Sequence, residues 1–320
     1  MDWKAYYRNE RDGVGARDAV HGWLLRDPDP AVALAVERRS ILSFPHTALG
    51  YAGPLQAGIV RALFNARIRR VLALGVLHSG GLEAYRVALD EGAAPGRRAA
   101  AFREIRGAFL PLGPSNETSY GAVPRWASGE ETGLVRLDRG DLLAPEFSLD
   151  TFLALDAAGA DVLGQPAIPV LPVYVGMMRD PQTGSFAAAE ALAGWIRRCV
   201  DGETAVVATG DLVHYGTTYG GAWLSGNPET PESLRQVLMP EVERTLRAGL
   251  VERDWEEAYR QSRTRIGNDQ REILPVLSAL LGAGATFSLH SFELSDYAAI
   301  LSVAPPCVVA SALVEFVRGV

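Results

Sequence analysis

"ILSFPHTALGYAG", residues 41–53, decides how this chain is read. Ile41 to Phe44 run without a charged residue and stop at Pro45, which has no backbone N–H with which to extend a strand ladder. His46 stands at that stop. A Gly-bearing turn then leads into "PLQAGIVRALFNARI" (54–68), whose apolar residues recur at helical spacing. A buried strand, a turn with a titratable ring and a covering helix make one α/β unit.

The unit repeats along the chain. Short apolar runs bounded by turn residues read as strands: "RVLALGV" (70–76), "IPVLPVYV" (168–175), "TAVVATG" (204–210), "TFSLHSF" (286–292) and "AAILSVA" (298–304). Between them, "SLDTFLALDAAGA", "SFAAAEALAGWIRRCV", "SLRQVLMPEVERTLRAGL" and "QREILPVLSALLG" carry helical spacing. The alternation predicts a mostly parallel central sheet with helices on both faces. With no repeat, linker or low-complexity tract, residues 1–320 read as one domain. Segment 83–133 stands apart, being rich in Gly, Arg and Ala and containing "LGPSNETSYGAVPRW" without a clean period. It reads as an insertion, either a lid or a cover for a sheet edge.

Composition narrows the function. The 320 residues are 48% hydrophobic, enough for a large core, and the net charge is -7. Its 31 Lys and Arg are scattered, which argues against a nucleic-acid partner. Cys199 and Cys307 lie far apart without a CxxC, giving neither a disulfide framework nor a thiolate zinc site and suiting a reducing compartment. The first residues, "MDWKAYYRNERDG", lack the apolar core of a signal peptide, and "AIPVLPVYVGMM" is too short and Pro-broken to span a bilayer. The expectation is a soluble cytoplasmic protein without a membrane partner, its oligomeric state open and a homo-oligomer compatible.

Ligands of open α/β sheets bind beyond the carboxyl ends of the strands. His46, His78 after "RVLALGVL" and His214 after "AVVATGDLV" all fall there, three of the five histidines. Two imidazoles need a carboxylate to complete the two-His, one-carboxylate set of non-haem iron sites. "RIGNDQREILPVLSALLGAG" (265–284) offers Asp269 and Glu272 at the mouth of a helix, and spacing does not choose between them. His21 and His290 read as structural. No GxGxxG follows an early strand and no GxSxG is present, so a Rossmann enzyme and a serine hydrolase drop out.

The motifs resemble a family. "PHTALGYAGPLQAG" resembles the "PHAGY-x-YSG" opening of Memo-like proteins, and "RRVLALGVLHSG" their "RVFILGPSH". "IPVLPVYVG" and "VVATGDLVHYG" are similar to their "IVPILVG" and "ISSDFSHYG", in the same order, over roughly residues 40–304. These proteins share a fold with the class III, or LigB-type, extradiol ring-cleaving dioxygenases, in which two histidines and a glutamate hold Fe(II). "GNDQREILPVLSALLGAG" looks like the dioxygenase pattern "GN-G-x-x-EI-x-x-WIAA", and that match falls on Glu272. The resemblance therefore implies His46, His78 and Glu272 as metal ligands. Three positions depart from the Memo pattern: Phe147 and Asp150 replace a histidine and a glutamate, and Asn268 stands near a cysteine position.

The resulting expectation is a mononuclear non-haem Fe(II) dioxygenase acting with O2 on a small catechol-like or phenolic substrate. His214 is the candidate proton acceptor, since an imidazole titrates near neutrality, with Asp211 to orient it and Tyr215 and Tyr51 as hydrogen-bond donors. The same donors suit Zn2+ or Cu, which leaves a Memo-like metal-binding redox or scaffold protein and a metal-dependent hydrolase as the other readings.

Overall fold

The computed structural model describes residues 1–319 apart from 79–84, 86–87, 90–92, 127–130 and 220–229. In chain order the strands are β1 (Ile41–Phe44), β2 (Arg70–Val76), β3 (Ala108–Leu110), β4 (Ser115–Thr118), β5 (Gly121–Pro124) and β6 (Val135–Leu137). They continue with β7 (Val170–Val175), β8 (Thr204–Thr209), β9 (Val213–Gly216), β10 (Thr286–Asp296) and β11 (Cys307–Val317). Nine of them form one sheet in the order β10-β11-β1-β8-β2-β7-β3-β6, with β9 also on β11, while β4 and β5 pair separately.

The centre of the sheet follows the sequence pattern. β1, β8, β2 and β7 are mutually parallel, and their side chains alternate between two cores. In β2, Val71 and Ala73 pack toward helices 16–24, 30–37, 49–65 and 150–163, while Leu72, Leu74 and Val76 pack toward helices 187–199, 231–246 and 273–281. A strand buried on both faces needs the near-continuous apolar run that β2 has.

The sheet as a whole is mixed rather than mostly parallel. β11 pairs antiparallel with β1, β9 and β10, and β3 antiparallel with β7. The long strand β11, "CVVASALVEFV", is absent from the sequence expectation because an apolar run of 11 residues exceeds the short runs that read as strands and cannot be told from a buried helix by periodicity. The expected strand at 298–304 is instead a short helix, Ala298–Leu301. Asp296 accepts a hydrogen bond from the Ala298 backbone N–H at 2.8 Å and so favours a turn over an extended run.

Part of segment 83–133 extends the sheet: helix 95–105 leads into β3, which joins β7, and the β4–β5 hairpin lies against helix 150–163. Residues 83, 84, 86, 87, 90–92 and 127–130, on which the lid expectation partly falls, lie outside the described residues. No helix among the described residues is long and apolar enough to cross a membrane.

Candidate metal centre

Because β1, β8 and β2 run parallel and in register, their carboxyl ends open at one edge, and the three expected histidines meet there. His46 and His78 have ring centroids 4.9 Å apart. The carboxylate that joins them is Asp269. Its Oδ2 lies 3.1 Å from His46 Nε2 and 3.7 Å from His78 Nε2, and its Oδ1 lies 3.7 Å from His214 Nδ1. His46, His78 and Asp269 each offer a donor atom within 4.8 Å of the others. Donors that share one ion at about 2.0–2.2 Å stand about 3–3.6 Å from each other, so little movement would close the set.

Glu272 is not brought to this point. Its Oε2 accepts from the Met178 backbone N–H at 2.8 Å, and it stands beside Tyr259 and the Arg179 backbone. Asp269 opens a 3-10 turn that runs to Arg271, and Glu272 stands where that turn passes into helix 273–281. Gly267 sets up that turn at φ +62, where a Cβ would lie 2.6 Å from the His214 carbonyl oxygen, so only glycine permits the approach. Asn268 accepts from the Gln270 N–H at 2.7 Å, and the Asp269 N–H donates to the Asp211 carbonyl at 3.1 Å.

Each ligand is fixed by its surroundings. The turn after β1 is held by Gln56, whose Nε2 donates to the carbonyls of Pro45 and Thr47, both at 2.8 Å. Asp211 acts on that same turn: its Oδ1 accepts from the Thr47 hydroxyl at 2.6 Å and from the Thr47 N–H at 3.2 Å. It therefore anchors the segment that carries His46, whereas the sequence suggested that it orients His214. The chain leaves β8 through Gly210, at φ +143, where a Cβ would lie 2.5 Å from Gln270 Cγ.

His78 is held by a residue the sequence expectation missed. Glu146 Oε1 lies 2.9 Å from His78 Nδ1, and its Oε2 accepts from the His78 backbone N–H at 2.7 Å. Oε1 also accepts from the N–H groups of Phe147 and Ser148 at 2.8 and 2.7 Å. Burial alone would raise this carboxyl, but the His78 charge and the four N–H donors hold it down at about 2. A carboxylate on Nδ1 leaves Nε2 to face the site, as in carboxylate–histidine–metal arrangements. Its only sequence signal is a charge in the apolar setting of "LLAPEFSLD", which is weak. Phe147 stacks on the His78 ring at 4.3 Å. Asp150 lies 3.6 Å from Arg11 instead of reaching the metal donors.

The electrostatics agree with a cation site. Burial would pull His78 down, but Glu146 and Asp269 push it up to about 10. Burial would raise Asp269, but His214, His46 and His78 hold its carboxyl well below the usual range. Positive charge is thus favoured between the rings and the carboxylate, and a divalent ion competes with ring protons for that place. The donor types, two imidazoles and one carboxylate, fit Fe(II), and His46 Nδ1 is buried without a hydrogen-bond partner, so no network commits that ring elsewhere.

His214 Nδ1 lies 2.9 Å from the Gly267 carbonyl, which can only accept, so Nδ1 carries the proton and Nε2 holds the lone pair in the neutral ring. Tyr219, another residue the sequence did not mark, packs edge-on against His214 at 5.0 Å. Tyr215 faces the core, since His214 faces the cavity and neighbours in a strand point oppositely. Tyr51 is largely exposed and donates to the Asp296 carbonyl. His21 sits near Tyr120, and His290 pairs with Glu315 at 3.0 Å, both away from the site.

Above the donors opens a cavity of about 790 Å³. Trp3, Tyr7, Phe147 and Tyr297 give it aromatic walls, and Lys4, Arg8, Arg263 and Arg271 add positive charge. No model of a known protein family matches the chain, and no curated protein matches it.

Proposed function

We propose that the protein is a mononuclear non-haem Fe(II) dioxygenase of the LigB/Memo type, acting with O2 on a small catechol-like molecule that bears an acidic substituent. The observation that carries this reading is the convergence of His46, His78 and Asp269 on one point in a cavity of about 790 Å³ with aromatic walls. His46, His78 and Asp269 would hold Fe(II), which would supply a centre able to bring a diol and O2 together.

The chain's own groups do the rest. His214 accepts a hydroxyl proton at Nε2 while Gly267 fixes the other nitrogen. Glu146 and Asp211 hold the His78 and His46 segments, so little reorganisation accompanies binding. Phe147, Trp3 and Tyr297 favour a flat ring, and the four cations favour an anion on it, in a protein that is otherwise acidic.

The test is O2 uptake by anaerobically purified, Fe(II)-loaded protein with catechol, 3,4-dihydroxybenzoate and its neutral amide. Uptake is expected, with the acid giving the lower KM. Asp269→Asn is expected to lose metal and Glu272→Gln to keep it. Background oxygen consumption in metal-loaded protein would replace this reading with a hydrolytic or scaffolding one; metal loss only in Glu272→Gln would overturn the ligand set.

A further inference from the structure

The first helix, Trp3–Asp12, walls the cavity with Trp3 and Tyr7 and with Lys4 and Arg8, two i, i+4 pairs on one side of the helix. Its position is fixed. Glu10 accepts from the Leu49 and Gly50 N–H groups at 2.8 and 2.9 Å, and Tyr7 stacks at 5.1 Å on Phe147, which stacks on His78. The four cavity cations are not equivalent. Lys4 Nζ donates to the Ala144 carbonyl at 2.7 Å, Arg271 Nη1 to the Asn268 carbonyl at 3.5 Å, and Arg263 lies over the Tyr259 ring at 6.0 Å. Arg8 is exposed and makes no hydrogen bond or ion pair with any described residue, so its five N–H donors are free. Lys4 and Arg8 also line a second cavity of about 400 Å³, to which none of the metal donors belongs. Asp150 lines it too, but its ion pair, at 3.6 Å, is with Arg11. Arg8 thus stands at the wall the two cavities share, away from the donors, whereas Arg271 follows Asp269 by two residues.

Resting on the reading of the cavity as a catechol site, we infer that Arg8 receives the acidic group of the substrate, and that this group sits on the side of the ring away from the two hydroxyls. A guanidinium meets a carboxylate through two parallel N–H···O bonds, and Arg8 gives up no internal partner to make them. A carboxylate beside the hydroxyls stays at the donor end of the cavity and misses Arg8. The first helix is then the element that sets specificity, and Arg8 its specificity-determining residue.

The experiment is calorimetric titration of full-length, Fe(II)-loaded protein under argon with catechol, 3,4-dihydroxybenzoate and 2,3-dihydroxybenzoate, which reads binding without turnover. The parent is expected to bind the 3,4-acid about tenfold more tightly than the other two, the size of a charge-assisted hydrogen bond. Arg8→Gln is expected to bring the 3,4-acid to the level of catechol, and Arg8→Lys to restore part of the preference. A parent that binds catechol but holds the two acids equally overturns the role of Arg8 and leaves the catechol reading standing. A preference that survives in Arg8→Gln, or that falls only in Arg271→Gln, also overturns it. A parent that binds none of the three overturns the catechol reading and this inference with it.

Discussion

Replacing Glu146 by Gln separates orientation of a ligand from support of the fold. Glu146 Oε1 accepts from three N–H groups, and Oε2 accepts from the His78 backbone N–H at 2.7 Å. A glutamine keeps one oxygen for the crowded side, but its NH2 group then meets the His78 N–H, donor against donor. A buried N–H left without an acceptor costs about 1–3 kcal/mol, so urea denaturation of apoprotein at neutral pH is expected to show a loss of that size. The effect on metal is separate. The carboxylate that fixed Nδ1 becomes a neutral amide oxygen, and loss of such a partner typically weakens metal binding about 10–100-fold. Competition with a fluorescent chelator measures it directly. If metal affinity stays within about twofold of the parent while stability falls as expected, Glu146 supports the loop and does not orient His78 for an ion.

Two further outcomes test the frame around the site. Asp156, 1% exposed in helix 150–163, has Oδ2 without a partner and Oδ1 3.3 Å from the Ile168 N–H, and burial raises its carboxyl to about 8. Because the folded value lies above the unfolded value of about 3.9, the contribution is complete below pH 4 and is lost as pH rises toward 8, at up to about 1.4 kcal/mol per unit. Asp156→Asn should therefore flatten the stability profile between pH 5 and 8; equal losses in variant and parent would remove Asp156 as the cause. Gly267→Ala places a Cβ 2.6 Å from the His214 carbonyl oxygen at φ +62, and the left-handed backbone alone costs about 1–2 kcal/mol. Turnover is expected to fall more than metal affinity, since His214 is the group displaced, and the reverse order in matched kinetic and metal titrations would contradict that placement.

The four parallel strands were legible because each is an apolar run that ends at a turn residue, and the burial of β2 on both faces leaves no other way to place "RVLALGV". The antiparallel half of the sheet was less so. β11 is an apolar run of 11 residues, too long to separate from a buried helix by pattern, and its partners β9 and β10 lie at different distances along the chain. Which strands pair is fixed by long-range packing that no local window contains.

The same division explains the site. His46, His78 and His214 were found because topology alone brings the carboxyl ends of parallel strands to one edge. The carboxylate was harder, since Asp269 and Glu272 are three residues apart and a regular helix would set both on neighbouring positions of one face. In the fold Asp269 follows a left-handed glycine and faces the rings, while Glu272, where the turn passes into helix 273–281, goes to the Met178 backbone. Glycine and asparagine at 267 and 268 were visible in the sequence, and both are turn formers. They mark a turn, but which of the two carboxylates meets the rings is set by contacts with the Met178 backbone and with the strand ends, which no local window contains.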